Sequence, residues 1–220
     1  MESDAIFALQ REEMVREQIE RRQVRDARVL AAMRALPRHL FVPPEYQDQA
    51  YDDCPLPIAQ SQTISQPYMV AVMSSLLELK GTERVLEVGT GSGYQAAVLA
   101  RLAAEVHTVE RHPQLATGAR LVLDSLNVRN VTVHCGDGSL GWPSFAPYQS
   151  IMVTAATPGL AKALLEQLAD GGYLVAPVGG HGSQDLQRWQ RMGTRFEMES
   201  IFPVAFVPLR GEGGWKEGEW

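Results

Sequence analysis

The stretch Val85-Leu-Glu-Val-Gly-Thr-Gly-Ser-Gly-Tyr94, VLEVGTGSGY, decides the fold. Its apolar first half reads as a short buried strand, its alternate glycines Gly89, Gly91 and Gly93 as a turn, and the residues from Tyr94 as a helix. Small residues between a strand and a helix let backbone amides come close to a ligand at the helix N-terminus. The spacing also narrows the ligand. A dinucleotide fingerprint needs a small residue at the sixth position counted from Gly89, and Tyr94 stands there, which disfavours NAD. A Gly-Lys-Ser/Thr phosphate loop needs a lysine, and none lies between Lys80 and Lys162. What remains is an adenosine without phosphates.

Strand and helix alternate on both sides of this turn. Pro67 suits the start of a helix running to about Leu79 and ended by Lys80-Gly81. After the strand at 84–89 come a helix at 94–102, strand EVHTVE at 105–110, a helix at 113–126, strands VTVHC at 131–135 and SIMVTA at 150–155, a helix at 159–168, and strand YLVAPV at 173–178. Apolar strands joined by amphipathic helices are parallel βαβ units, and right-handed crossovers wind them into an α/β, doubly wound, Rossmann-like sheet. Strands at 185–191 and 197–206 have no helix between them and predict an antiparallel C-terminal hairpin. Upstream, 14–20 and 28–36 carry apolar residues at helical spacing, with Asp26 as a cap and Pro37 as a stop. The chain over 41–60 is broken by Pro43, Pro44, Pro55 and Pro57 and reads as irregular surface. We expect one domain: a helical and irregular cap over 1–66, a cofactor-binding core over 67–210 and a flexible, Gly-rich tail over 211–220.

Composition excludes several functions. A net charge of −6 lacks the clustered cations that a nucleic-acid ligand requires, and the basic residues of 11–28 alternate with Glu12, Glu13, Glu17 and Glu20. The only cysteines, Cys54 and Cys135, lie in no CxxC pair and near no histidine at ligand spacing, so no metal is expected. A disulfide between them is left open. No run approaches a membrane span and the N-terminus lacks a signal pattern, so no membrane partner is expected and the compartment reads as the cytosol.

Three carboxylates fall at successive strand ends. Glu87 lies on the first strand of the core, Glu110 ends the second, where it can accept both ribose hydroxyls, and Asp137 in CGDG follows the third, where an adenine edge falls. Negative charge beside the pocket suits a ligand carrying a sulfonium cation. A second signal is AQSQTISQPYMV, 59–70, in which six of the seven side chains from Gln60 to Gln66 are polar and none is charged.

With QTISQPYMV (62–70), LEVGTGSGYQAAVLA (86–100), VERH (109–112), GDG (136–138), VTAA (153–156), GGYLVAPVG (171–179) and FVPL (206–209) in this order, the chain resembles the protein-L-isoaspartate O-methyltransferase family of class I S-adenosylmethionine-dependent methyltransferases over roughly 10–210. The resemblance implies methyl transfer from S-adenosyl-L-methionine to the α-carboxyl of L-isoaspartyl residues in damaged proteins and peptides, whose ester then closes to a succinimide. It implies a catalytic hydroxyl at Ser65, which can also cap the helix opened by Pro67. Cofactor contacts are implied at Gln62, Thr63, Ile64, Tyr68, Glu87, Gly89, Thr90, Gly91, Ser92, Gly93, Glu110, Arg111, Asp137 and Gly138. Substrate contacts are implied at Ile64, Ser65, Thr154, Ala155, Val207, Pro208 and Leu209. A carboxylate acceptor of pKa ~4 is already ionised at neutral pH, so no general base is needed, which fits five histidines that share no motif. Where the family commonly has glycines, this chain has Ala59 and Ser61, a change that can tighten or shift the loop if those glycines serve positive φ. A monomer is expected. A methyltransferase with another acceptor, and a non-catalytic binding module on the same fold, are the competing readings.

Overall fold

The computed structural model describes residues 2–220. The N-terminal helix α1 (Glu2–Glu13) runs into a π-helical stretch over Met14–Ile19 and a 3-10 turn over Glu20–Arg22, ending at Gln23 with φ +71°. Met14 and Ile19, five positions apart, are both buried. The wider i→i+5 turn keeps them on one face, which an α-helix would not do as well. Helix α2 (Ala27–Ala35) starts as the sequence predicts, with Asp26 Oδ1 accepting from the amides of Arg28 and Val29. The proline-rich stretch is not wholly irregular: β1 (Leu56–Pro57) pairs antiparallel with β2 (Thr63–Ile64). Helix α3 (Pro67–Leu76) follows at once.

The core elements are β3 (Arg84–Val88), α4 (Tyr94–Ala100), β4 (Glu105–Glu110), α5 (Pro113–Ser125), β5 (Val131–Cys135), β6 (Tyr148–Val153), α6 (Lys162–Glu166), β7 (Leu168–Val178), β8 (Gln184–Met192) and β9 (Arg195–Val204). They form one seven-stranded sheet of order β5-β4-β3-β6-β7-β8-β9, parallel from β5 to β7 and antiparallel from β7 to β9. The doubly wound sheet and the terminal hairpin expected from sequence are both present. The helix expected over 159–168 is shorter, because Leu168 is drawn into β7 beside Tyr148 and Ala161 stays extended.

Side chains alternate across the sheet, so each face gathers its own core. Val85, Val106, Met152 and Val175 pack with α2, α3 and α4, whereas Leu86, Val88, Val109, Ile151 and Leu174 pack with Leu164 of α6. Chain order reverses at β3, which has β4 on one side and β6 on the other. Ligands of such sheets lie outside the strands' carboxyl ends at this switch point. Among the described residues, no helix is long and apolar enough to cross a membrane.

Candidate active site

The turn after β3 is built from backbone. Gly89, Gly91 and Gly93 take φ of +100°, +53° and +87°, conformations that cost other residues about 1–2 kcal/mol. A Cβ on Gly89 would come within 2.4 Å of Thr154 Oγ1, which itself donates to the Gly89 carbonyl at 2.7 Å. Gly93 lets the start of α4 approach Ala119 of α5, so it serves packing rather than the crevice. Beneath the turn lies a buried polar layer: Thr90 Oγ1 meets Thr108 Oγ1 at 2.6 Å, and Gln95 donates to Ser74 at 2.9 Å.

The crevice at the switch point is lined on one side by Gln62, Gly89, Glu110, Arg111, Gly138 and Ala155 and on the other by Thr63, Ile64, Ser65, Thr90, Gly91, Ser92 and Thr154. Glu110, at the tip of β4, accepts the Gly91 amide on Oε2 and the His112 amide on Oε1, each at 2.9 Å. Each carboxylate oxygen keeps a further lone pair for a ligand hydroxyl. Glu87 does not line the crevice. It is fully buried below the turn, its oxygens make no well-formed hydrogen bond, and burial, eased by the neighbouring Thr108 hydroxyl and reinforced by repulsion from Glu110, pushes its carboxyl up to about 8. Asp137 also turns elsewhere. Its Oδ1 accepts from the Ser139 amide and its Oδ2 from the Glu212 amide at 2.7 Å, while Gly213 donates to Ser139 Oγ at 2.9 Å. Partial burial works against ionisation of Asp137, but the Ser139 hydroxyl and these amides outweigh it and hold the carboxyl below its ordinary value. Residues 211–215, expected to be part of a flexible tail, thus fold back onto the loop after β5.

A second cavity, an open cleft of about 660 Å³, adjoins the crevice. Its walls are α3 (Tyr68, Met69) and the chain from Phe202 to Pro208, with Arg22 the one charged side chain among the described residues that line it. Arg22 stacks 3.4 Å over the Tyr68 ring and pairs with Asp53 at 3.0 Å. Thr63 and Ser65 line both cavities, and Pro208 borders cleft and crevice. Of the residues expected to touch substrate, Val207 and Pro208 are in the cleft, whereas Thr154, Ala155 and Leu209 line the crevice; Tyr68, expected at the cofactor, is in the cleft. Ser65 does not cap α3, whose N-cap is Gln66 with no side-chain hydrogen bond, because the chain enters the helix one residue later than a serine cap needs. In the preceding loop Gln60 and Ser61 have φ of +60° and +54°, so one of the two expected glycine positions does require the left-handed conformation, which Ser61 adopts, whereas Ala59 does not.

The missed residues are Met69 and the Phe202–Phe206 wall. Phe202, Val204 and Phe206 recur at every second position, a pattern readable as one strand face, but only the fold shows that this face meets α3.

The residues present fit an adenosyl sulfonium: backbone cradle, carboxylate at the β4 tip, and no phosphate-binding lysine. Sheet order and crevice together define a class I S-adenosylmethionine-dependent methyltransferase. Comparison with known proteins is more specific. The chain belongs to the protein-L-isoaspartate(D-aspartate) O-methyltransferase family, whose model matches residues 9–214. It is 54% identical over 211 residues to a protein-L-isoaspartate O-methyltransferase of Methanospirillum hungatei, covering 96% of this chain and 97% of that one. It is 51% identical over 211 residues to one of Herpetosiphon aurantiacus, covering 96% and 94%. A solved protein-L-isoaspartate O-methyltransferase superposes with TM-score 0.85 at 26% identity, covering 93% of this chain and 67% of that one. A Plasmodium falciparum structure, described as a candidate member and solved with S-adenosyl-L-homocysteine, shares the fold at TM-score 0.78 and 22% identity, covering 91% and 98%.

Proposed function

We propose that the chain transfers the methyl group of S-adenosylmethionine to the α-carboxyl of L-isoaspartyl residues in damaged proteins and peptides, with Ser65 between donor and acceptor. The observation that carries this reading is that Thr63 and Ser65 line both the crevice and the peptide-sized cleft, so a group held in either meets the other there. When bound, S-adenosylmethionine supplies a methyl carbon already activated by its sulfonium charge. Glu110 holds the ribose hydroxyls, and the amides of the glycine turn follow the rest of the donor. In the cleft, the acceptor carboxylate needs orientation rather than deprotonation, because it is ionised at neutral pH. Ser65 offers a neutral hydroxyl for this purpose, so no strong ion pair weakens the attacking oxygen. In-line placement of two bound groups is itself a large part of such catalysis. The neutral, largely apolar wall from Phe202 to Pro208 contacts flanking residues without demanding a particular sequence.

The same reading makes the enzyme a cytosolic monomer with a single functional domain; the unpaired thiols of Cys54 and Cys135 support a reducing compartment. The decisive experiment compares one peptide in its isoaspartyl and aspartyl forms with labelled donor. Methyl transfer to the isoaspartyl form alone is expected. Equal labelling of both forms, or of neither, would overturn the assignment.

A further inference from the structure

Arg38 is among the largest of the described side chains with no solvent exposure. Its Nε donates to the Ala50 carbonyl and its Nη2 to the Ser65 carbonyl, both at 2.8 Å, and the guanidinium lies 4.9 Å from the centroid of the Tyr94 ring. Its Nη1 has no partner. Among the described residues no carboxylate neutralises it; burial lowers it only to about 10, against smaller opposing effects of Tyr94, Cys54 and Tyr51, so the charge persists at neutral pH. A buried, unpaired cation is expensive, and apolar replacements of buried ions are often no less stable. Its presence here therefore calls for something a hydrophobic residue cannot do.

The two carbonyls it reaches lie in irregular chain, one at the end of the 3-10 turn over Pro44–Gln49 and one between β2 and α3. A planar fork fixes both acceptors at once, which a lysine ammonium on a flexible stem does not. Ser65 has no other tether of this kind: its residue is neither in β2 nor the cap of α3. We infer that Arg38 is a positioning residue, whose buried guanidinium sets the Ser65 backbone and so aims its hydroxyl at the meeting point of cleft and crevice. This rests on the role given to Ser65 above.

The test measures kcat and KM for an isoaspartyl peptide, and donor affinity by calorimetry, in the wild type, Arg38→Lys, Ser65→Ala and the double variant. Because misplacing a reacting group by about 1 Å can cost on the order of 100-fold, Arg38→Lys is expected to lower kcat at least about 10-fold. Donor affinity should stay within about 2-fold, since Arg38 does not line the crevice. In the double variant the lysine should cost far less than it costs the wild type, because a missing hydroxyl cannot be misaimed. Arg38→Met, which keeps the core filled without a buried charge, is the second variant and should show the same kcat loss at any temperature where its circular dichroism matches the wild type. Independent, multiplicative losses, or a parallel fall in donor affinity, would sink the positioning role alone. A Ser65→Ala enzyme of unchanged kcat would sink the Ser65 assignment and this inference with it.

Discussion

Two carboxylates on one face of adjacent strands meet opposite surroundings. Glu110 reaches the crevice and accepts two amides, so Glu110→Ala is expected to weaken donor binding by about 1.5–3 kcal/mol, the range for hydrogen bonds to a charged group, with calorimetry as the check. Unchanged affinity would remove it from the ribose. Glu87 has only the Thr108 hydroxyl beside it and no well-formed hydrogen bond, and its raised carboxyl favours the protonated form in the folded state. Its contribution to stability is full below the unfolded value of 4.5 and declines as pH rises towards and through about 8, at up to about 1.4 kcal/mol per unit while it titrates. Glu87→Gln should flatten the pH dependence of chemical denaturation across this window. At this scale the sequence is an uneven guide. Glu110 was legible from its place at a strand end, whereas Glu87 and Asp137 were read as facing the ligand, because alternation tells which face a residue takes but not what covers it. The tether on Asp137 comes from an amide 75 positions away.

Element boundaries are most legible where one force dominates. The strands at Glu105–Glu110 and Val131–Cys135 match their predicted limits, since apolar runs between turn signals leave little choice. The π-helical stretch and the β1–β2 ribbon were not legible from apolar spacing or turn signals. The glycine turn lies between these cases. Its strand–turn–helix form is local, but the reason for glycine at position 89 is Thr154 at the end of another strand. Gly89→Ala should cost about 2–4 kcal/mol from left-handed backbone plus overlap, measured by thermal or denaturant unfolding. Gly159→Ala, where a Cβ meets nothing within 4 Å, is the control and should shift stability little.

At the level of the molecule, the order of strands places the crevice, and the folded tail braces one rim of it. Asp137→Ala removes the acceptor for the Glu212 amide, so trypsin is expected to cut after Arg210 or Lys216 faster than in the wild type, with the rest of the chain equally resistant. An unchanged cleavage rate would mean that Ser139 and the Arg210–Trp215 bridge hold this segment unaided. The doubly wound class was legible because βαβ alternation and handedness leave few topologies, yet the cleft was not, since its two walls come from opposite ends of the sequence. That same strand order has a consequence during synthesis. Val85 sits beside Ser150, so the central pair of the sheet joins positions 65 apart (150 − 85). At roughly 5–20 residues per second on the ribosome, one edge of Arg84–Val88 waits roughly 3–13 s for its neighbour. A nascent chain halted before Ser150 therefore presents an apolar strand with one edge unpaired, and this is the window in which chaperones have most to bind.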